Sequence, residues 1–304
     1  MSINVEKPVN IAIEVAPISS GRRMWLATWS QTEFRIGLIL FVILVGTALI
    51  YPLLSDLDPT KLSVRERFLP PVFLEGGTWD HILGTDQLGR DLFVRSLVGL
   101  QNALMISLAV VILMFAFGSA VGLVAGYRGG WIDTILMRLT DAQLSIPLII
   151  LAIIILTVSR PTPFSVIVVL ALAGWPVYAR VTRSVTLAER QREYVRGAKI
   201  LGASDGRIMW RLIAPNILPP IAFVAVLDIA RMMIFESILG FIGIGIQPPT
   251  PTFGTIIADG RKYLINAWWI ATMPGAFLFL TLLSVNLMGS ALERARNRLL
   301  RGTI

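Results

Sequence analysis

The sequence predicts an all-α membrane protein of six transmembrane helices, occupying residues 34–304, with a polar loop between the fourth and fifth spans. Composition is the first observation: 55% of the 304 residues are hydrophobic and only 15% charged, with a mean hydropathy of +0.73. A soluble core of this size cannot hide that much apolar surface. The second is length, because a helix needs about 20 apolar residues to cross a bilayer core. Segments near 34–54, 102–127, 137–159, 163–180, 216–243 and 266–291 meet that need. The third is the placement of arginines and lysines, which sets orientation.

In chain order, residues 1–33 read as a cytoplasmic N-terminal tail. Met1 to Ser20 lacks the apolar core of a signal peptide, so the first span serves as an uncleaved anchor. The stretch from Ser55 to Leu100 reads as a long outer segment, with His81 to Asp91 forming a turn and the start of a helix. Within it, Asp86, Arg90 and Asp91 have two readings, a surface met by a partner or a local capping and ion-pair network. Gly118, Ala120, Gly122, Ala125 and Gly126 permit close helix approach in the second span. Pro147 and Trp175-Pro176 each remove a backbone hydrogen bond and bend the third and fourth spans.

The polar segment from Glu189 to Pro219 follows. From Thr186 to Leu201 the apolar positions recur at helical spacing, predicting an amphipathic helix that contains Glu193, Tyr194, Arg196, Gly197, Ala198 and Lys199. Gly202 stands where a left-handed cap requires glycine. After Ala203, Ser204 caps a second short helix and Pro215 stops it. Most loops between spans only turn around; this one has the form of a docking element.

In the fifth span, Asp228, Arg231 and Glu236 are the costly residues. A charge at a helix centre costs about 2.5 to 3.5 kcal/mol on insertion scales, so such groups face a partner or a water-filled path. Asp228 and Arg231 are three apart and pair along one face. That pair either lines a substrate route or neutralises two buried charges, and Glu236 is read as pore-facing. Gln247 to Pro251 cannot be regular helix, and it leads back toward Trp268-Trp269, read as an interfacial aromatic pair.

Orientation follows from Arg22, Arg23, Arg35, Arg128, Arg138, the bases from Arg180 to Arg211, and Arg294 to Arg301. Six crossings put all of these on one side, the cytoplasm, together with both termini. The net charge of +8 is spread along membrane borders and does not indicate nucleic acid. Zero cysteines exclude a disulfide framework or thiolate metal site, so no metal site is expected. With one histidine and no G-x-x-x-x-G-K-[ST] loop, no catalytic constellation or cofactor site is visible.

Several motifs resemble those of one family. They are Ala198 through Gly202 to Pro215; His81-x-x-Gly84-Thr85-Asp86-x-x-Gly89-Arg90-Asp91; Ala125-Gly126-Tyr127-x-Gly129-Gly130; and Gln247-Pro248-Pro249-Thr250-Pro251 before Phe253-Gly254. Together they resemble the C-type permease subunits of ABC importers in the dipeptide, oligopeptide and nickel branch. The resemblance implies a type I importer bundle in the bacterial inner membrane and membrane lipid around it. It further implies a second homologous permease, two ATP-binding subunits that hold ATP and Mg, and an extracytoplasmic solute-binding protein. It makes 186–215 the cytoplasmic coupling loop that touches the ATPases, and Asp86, Arg90 and Asp91 a candidate contact for the binding protein. The family's acidic-alanine-alanine triplet reads Arg196-Gly197-Ala198 here, and Ala214 precedes the proline where leucine is usual. The alternative is a secondary transporter using Asp228, Arg231 and Glu236 for ion coupling, although no paired half-repeats are evident.

Overall fold

The computed structural model describes residues 20–54 and 58–300. Among them the regular structure is helical, apart from one isolated antiparallel bridge between Thr85 and Asp91. A short helix, α1 (Ser20–Trp29), precedes the first span, α2 (Thr32–Leu54). Residues 20–29 of the expected tail are thus helical, and Trp25 stacks on Trp29 at 5.5 Å between ring centres. The rest of the expected tail, residues 1–19, lies outside the described residues.

The second span, α3 (Leu92–Arg128), starts ten residues earlier than expected because the Asp91 side chain caps it, accepting from the Val94 amide at 2.8 Å. The third is broken into α4 (Gly130–Leu144) and α5 (Leu148–Val158), which meet at 81°. Pro147 thus ends a helix here and does more than bend one. At about 1.5 Å per residue, α5 reaches only about half the bilayer core. The fourth span, α6 (Pro163–Glu189), opens with Pro163 behind a Thr162–Ser165 capping box and continues through Pro176.

After α6 come α7 (Glu193–Ile200), one turn, α8 (Asp205–Arg207), a π-helical turn (Ile208–Ile213) and the fifth span, α9 (Ala214–Ile242). A short helix, α10 (Phe253–Gly260), and the sixth span, α11 (Trp269–Leu300), complete the chain. Among the described residues four helices are long and apolar enough to cross a membrane singly, and six spans result when α4 with α5, and Asp205–Pro219 with Ile221–Ile242, each count as one bent crossing.

Helix direction supports counting α4 and α5 as one crossing. A Cβ on Gly118 would lie 2.5 Å from the Trp175 carbonyl, one on Gly122 2.3 Å from that of Ala179, and one on Gly126 2.9 Å from that of Arg183. The matched steps of four on both chains mean that α3 and α6 run parallel, in near backbone contact. A chain that leaves α3 and re-enters parallel to it has crossed back once. α4 accompanies that return antiparallel to α6, through Asp133 to Arg183, Asp141 to Arg180 and Gln143 to Trp175.

The close α3–α6 approach generates a prediction. Gly122→Val forces a side chain into the backbone of α6, and overpacking of this kind costs about 1–3 kcal/mol or more. The melting temperature of the purified protein and its monodisperse yield should fall sharply. Gly46→Val, where an added Cβ meets nothing within 4 Å, should leave both unchanged.

Candidate functional site

The sites expected from the sequence fall at three levels of the bundle. At one end the loop after α6 is packed as a rigid block. α6 absorbs Thr186 to Glu189, and three residues break the chain before α7, so the single amphipathic helix expected from Thr186 to Leu201 is two helices. The break lets Val195 turn inward, where it joins Leu123, Ile208, Met209, Ile213 and Ile217 in one apolar cluster. Glu193 sits in the first turn of α7 and Lys199 in its last, each complementing the helix dipole.

α7 closes as expected at Gly202, whose φ is +80°. The Gly202 amide bonds to the Lys199 carbonyl at 3.1 Å and the Ala203 amide to Ala198 at 3.0 Å, the paired bonds of a Schellman turn. Ser204 precedes α8 in extended conformation, but its side chain makes no capping bond. Pro215 does not stop the second helix. The π turn before it widens the backbone, and Pro215 then occupies the first turn of α9, where a missing amide hydrogen costs nothing.

Polar side chains tie this block to the spans. The Tyr194 hydroxyl donates to Glu189 at 2.8 Å and accepts from Asn216 at 3.1 Å, joining the end of α6 to the start of α9. Partial burial, then the bond to Glu189, pushes the Tyr194 phenol above its ordinary pKa and keeps it a donor. Arg190 donates to the Gly126 and Tyr127 carbonyls at the end of α3, both at 3.0 Å. The Tyr127 hydroxyl donates to Asp205 at 2.8 Å. Arg196 is exposed, Gly197 is half-buried, and Ala198 is half-buried against the apolar cluster.

In the middle of the bundle, Arg231 pairs with Asp228 at 2.9 Å, as their spacing predicts. Asp228 is buried, whereas the Arg231 side chain is 43% exposed on a spanning helix. The buried Tyr178 hydroxyl lies against the same Asp228 carboxylate. Glu236 is 1% exposed and accepts a long 3.5 Å bond from Ser237. In this chain it is buried, on a side of α9 turned toward the chain's own interior.

At the other end, Asp86, Arg90 and Asp91 are all buried. Asp86 accepts from the amides of Leu88 and Arg90 and from the Arg90 guanidinium at 2.6 Å. Arg90 reaches Asp259 of α10 at 3.4 Å, and Asp91 holds both the start of α3 and the His81 ring at 2.8 Å. These three form the capping and ion-pair network, so they present no open surface to a partner. Trp269 is likewise buried and donates to the Thr85 carbonyl at 3.3 Å, leaving only Trp268 of that pair in an interfacial position.

Two further ties were not foreseen, Arg183 with Asp133 and Arg180 with Asp141. Their signal in the sequence is the spacing: acids eight apart on α4 and bases three apart on α6 each share a helix face.

Residues 118–298 match a family described as the binding-protein-dependent transport system inner membrane component. The dipeptide transport system permease protein DppC of Haemophilus influenzae is 34% identical over 92% of this chain and 95% of its own length. The di/tripeptide transport system permease protein DppC of Pseudomonas aeruginosa is 35% identical over 85% of this chain and 86% of its own. The probable D,D-dipeptide permease DdpC of Escherichia coli is 36% identical over 84% of each. Among solved structures, a chain of the inward-facing MetNI methionine ABC transporter superposes with a TM-score of 0.53 at 19% identity, over 67% of this chain and 95% of that one. That likeness shows the same fold.

The pair on α9 can be tested by stability alone. Arg231→Met leaves the Asp228 carboxylate without its cation at membrane depth and should destabilise the protein by about 2 to 3 kcal/mol. Asp228→Asn with Arg231→Met removes both charges and should restore most of the loss, because no buried charge then stands alone. Thermal melting in detergent measures both; single and double variants that melt alike would show that the pair carries no coupling.

Proposed function

This chain belongs to the family of binding-protein-dependent transport system inner membrane components, and on that premise we propose that it is one of two permease subunits in an ATP-driven importer of short peptides. Peptides are supported by the relatives just described, which match most of this chain's length and are named as dipeptide or di/tripeptide permeases. The family premise favours this reading over a secondary transporter driven by the charges of α9.

The observation that carries the coupling role is the rigidity of the block from Arg190 to Asn216. Arg190, just beyond α6, holds the end of α3, Tyr194 joins α7 to α6 and α9, and the apolar cluster around Val195 packs α7 against α3 and the start of α9. A partner that displaces α7 thereby displaces the ends of three spans together. Two separate ATP-binding subunits, holding ATP and Mg between them, supply that displacement on closing. They stabilise one of two bundle states and release it after hydrolysis. This chain contributes no hydrolytic chemistry of its own.

The basic end of the bundle, with both termini and the 186–215 loop, faces the cytoplasm of a bacterial cell whose inner membrane holds the chain. The opposite end, closed by the Asp86–Arg90 network and α10, faces the solute-binding protein. Arg231 marks the face of α9 that borders the pathway shared with the sister permease, since a half-exposed cation at membrane depth requires water or protein against it.

Two experiments test this reading. In the cysteine-free chain, Ser204→Cys should react with a membrane-impermeant thiol reagent only from the cytoplasmic side and Thr78→Cys only from outside; labelling of both from one face would overturn the topology. Gly202→Val places a β-branched residue at φ +80°, where an added Cβ meets nothing within 4 Å, so the effect is backbone strain alone. About 1 to 3 kcal/mol of local strain should misalign the end of α7. The assembled complex should then lose most of its substrate-stimulated ATP hydrolysis while membrane insertion survives, and unchanged stimulation would remove α7 from the coupling path.

A further inference from the structure

Beside α7, the ends of α3, α6 and α8 enclose an open cleft of about 380 Å³ whose charged lining is Arg128, Arg190, Arg196 and Lys199 against Asp205 alone. Two of these five groups are already engaged, Arg190 with the carbonyls ending α3 and Asp205 with the Tyr127 hydroxyl. Arg128, Arg196 and Lys199 are exposed and take part in none of the ion pairs among the described residues. Three cations facing one small cleft repel one another, and an anion entering it relieves that repulsion.

The cleft adjoins a second feature. α7 ends in Ile200 and Leu201, which are 86% and 88% exposed. They lie in the polar loop between spans, and apolar side chains that protrude so far beside unpaired charges have the make-up of a protein interface, an apolar centre with a charged rim. A free phosphate would satisfy the cations and leave Ile200 and Leu201 bare. A protein surface satisfies both.

We propose that this cleft receives an acidic side chain, Asp or Glu, projecting from the ATP-binding subunit, beside an apolar recess of the same subunit that seats Ile200 and Leu201. The inference rests on the reading of the loop as the ATPase contact and adds the charge of the surface it meets. At the position of the acidic residue that the family resemblance would lead one to expect, this chain carries Arg196, so its partner must be complementary to a base.

The test uses the assembled transporter in nanodiscs, with affinity of the ATP-binding subunits for the permease pair as the readout and retention of the sister permease as the folding control. Arg196→Glu with Lys199→Glu should weaken ATPase binding by about tenfold or more, and abolish its decline with added salt. Arg196→Lys with Lys199→Arg should stay within about twofold of the parent, since charge is kept. In a parallel arm, Leu201→Cys carrying a benzophenone maleimide should photocrosslink to an ATP-binding subunit. If charge reversal has no effect while Leu201 still crosslinks, the acidic partner is wrong and the docking reading stands. Equal losses in the reversed and conserved variants would mean shape rather than charge, which also overturns the inference. No crosslink from Leu201 to an ATP-binding subunit overturns the docking reading itself, and the inference with it.

Discussion

The near backbone contact between α3 and α6 is the constraint on which the rest of the bundle depends. With Gly118, Gly122 and Gly126 turned toward the carbonyls of Trp175, Ala179 and Arg183, the two helices approach as closely as their main chains allow. Inside a membrane no apolar surface is hidden from water by helix pairing, so contact of this kind supplies association through dispersion forces. Because the pair is parallel, the chain between them must return across the membrane, and the broken α4–α5 crossing is the consequence. Because the pair is in register, the end of α3 lies beside the end of α6. Arg190 can then clamp the last turn of one helix from just beyond the other.

Charge is distributed by the same architecture. Toward the two ends, several charged groups are matched: Asp86 with Arg90, Asp133 with Arg183, Asp141 with Arg180, Glu33 with Arg294. These pairs fasten helices that have few polar contacts elsewhere. Two places stand apart. In α9 a buried carboxylate is paired with a cation whose other side is open, and beside α7 Arg128, Arg196 and Lys199 form no ion pair among the described residues. Both lie where the proposed assembly puts another chain, the sister permease at α9 and the ATP-binding subunit at α7.

Rigidity also differs along the chain in a way that suits transmission of force. The block after α6 is held by an apolar cluster, a Schellman turn and hydrogen bonds from Tyr194, Tyr127 and Arg190. The third span, by contrast, is interrupted at Ser145 to Pro147 with an 81° change of direction. A stiff lever attached to a bundle containing bent crossings can move some spans relative to others without unfolding either part.

The sequence by itself determined the class and most of the punctuation: apolar length defined six crossings, Gly202 marked the left-handed end of α7, and the Asp228–Arg231 spacing specified its pair. Each of these is a local property, readable within one or two helical turns. The tertiary structure decided what local pattern cannot express. Asp86, Arg90 and Asp91 read as network or as surface, with the network favoured, until α10 and α11 pack beside them. Glu236 resembles Arg231 in cost, yet the rotation of α9 buries one and opens the other. Pro215 is a stop signal in isolation, but the π turn before it lets the helix start instead. In each case the physical reason is the same: burial depends on which side of a helix meets its neighbours, and that is set by contacts between residues distant in the chain.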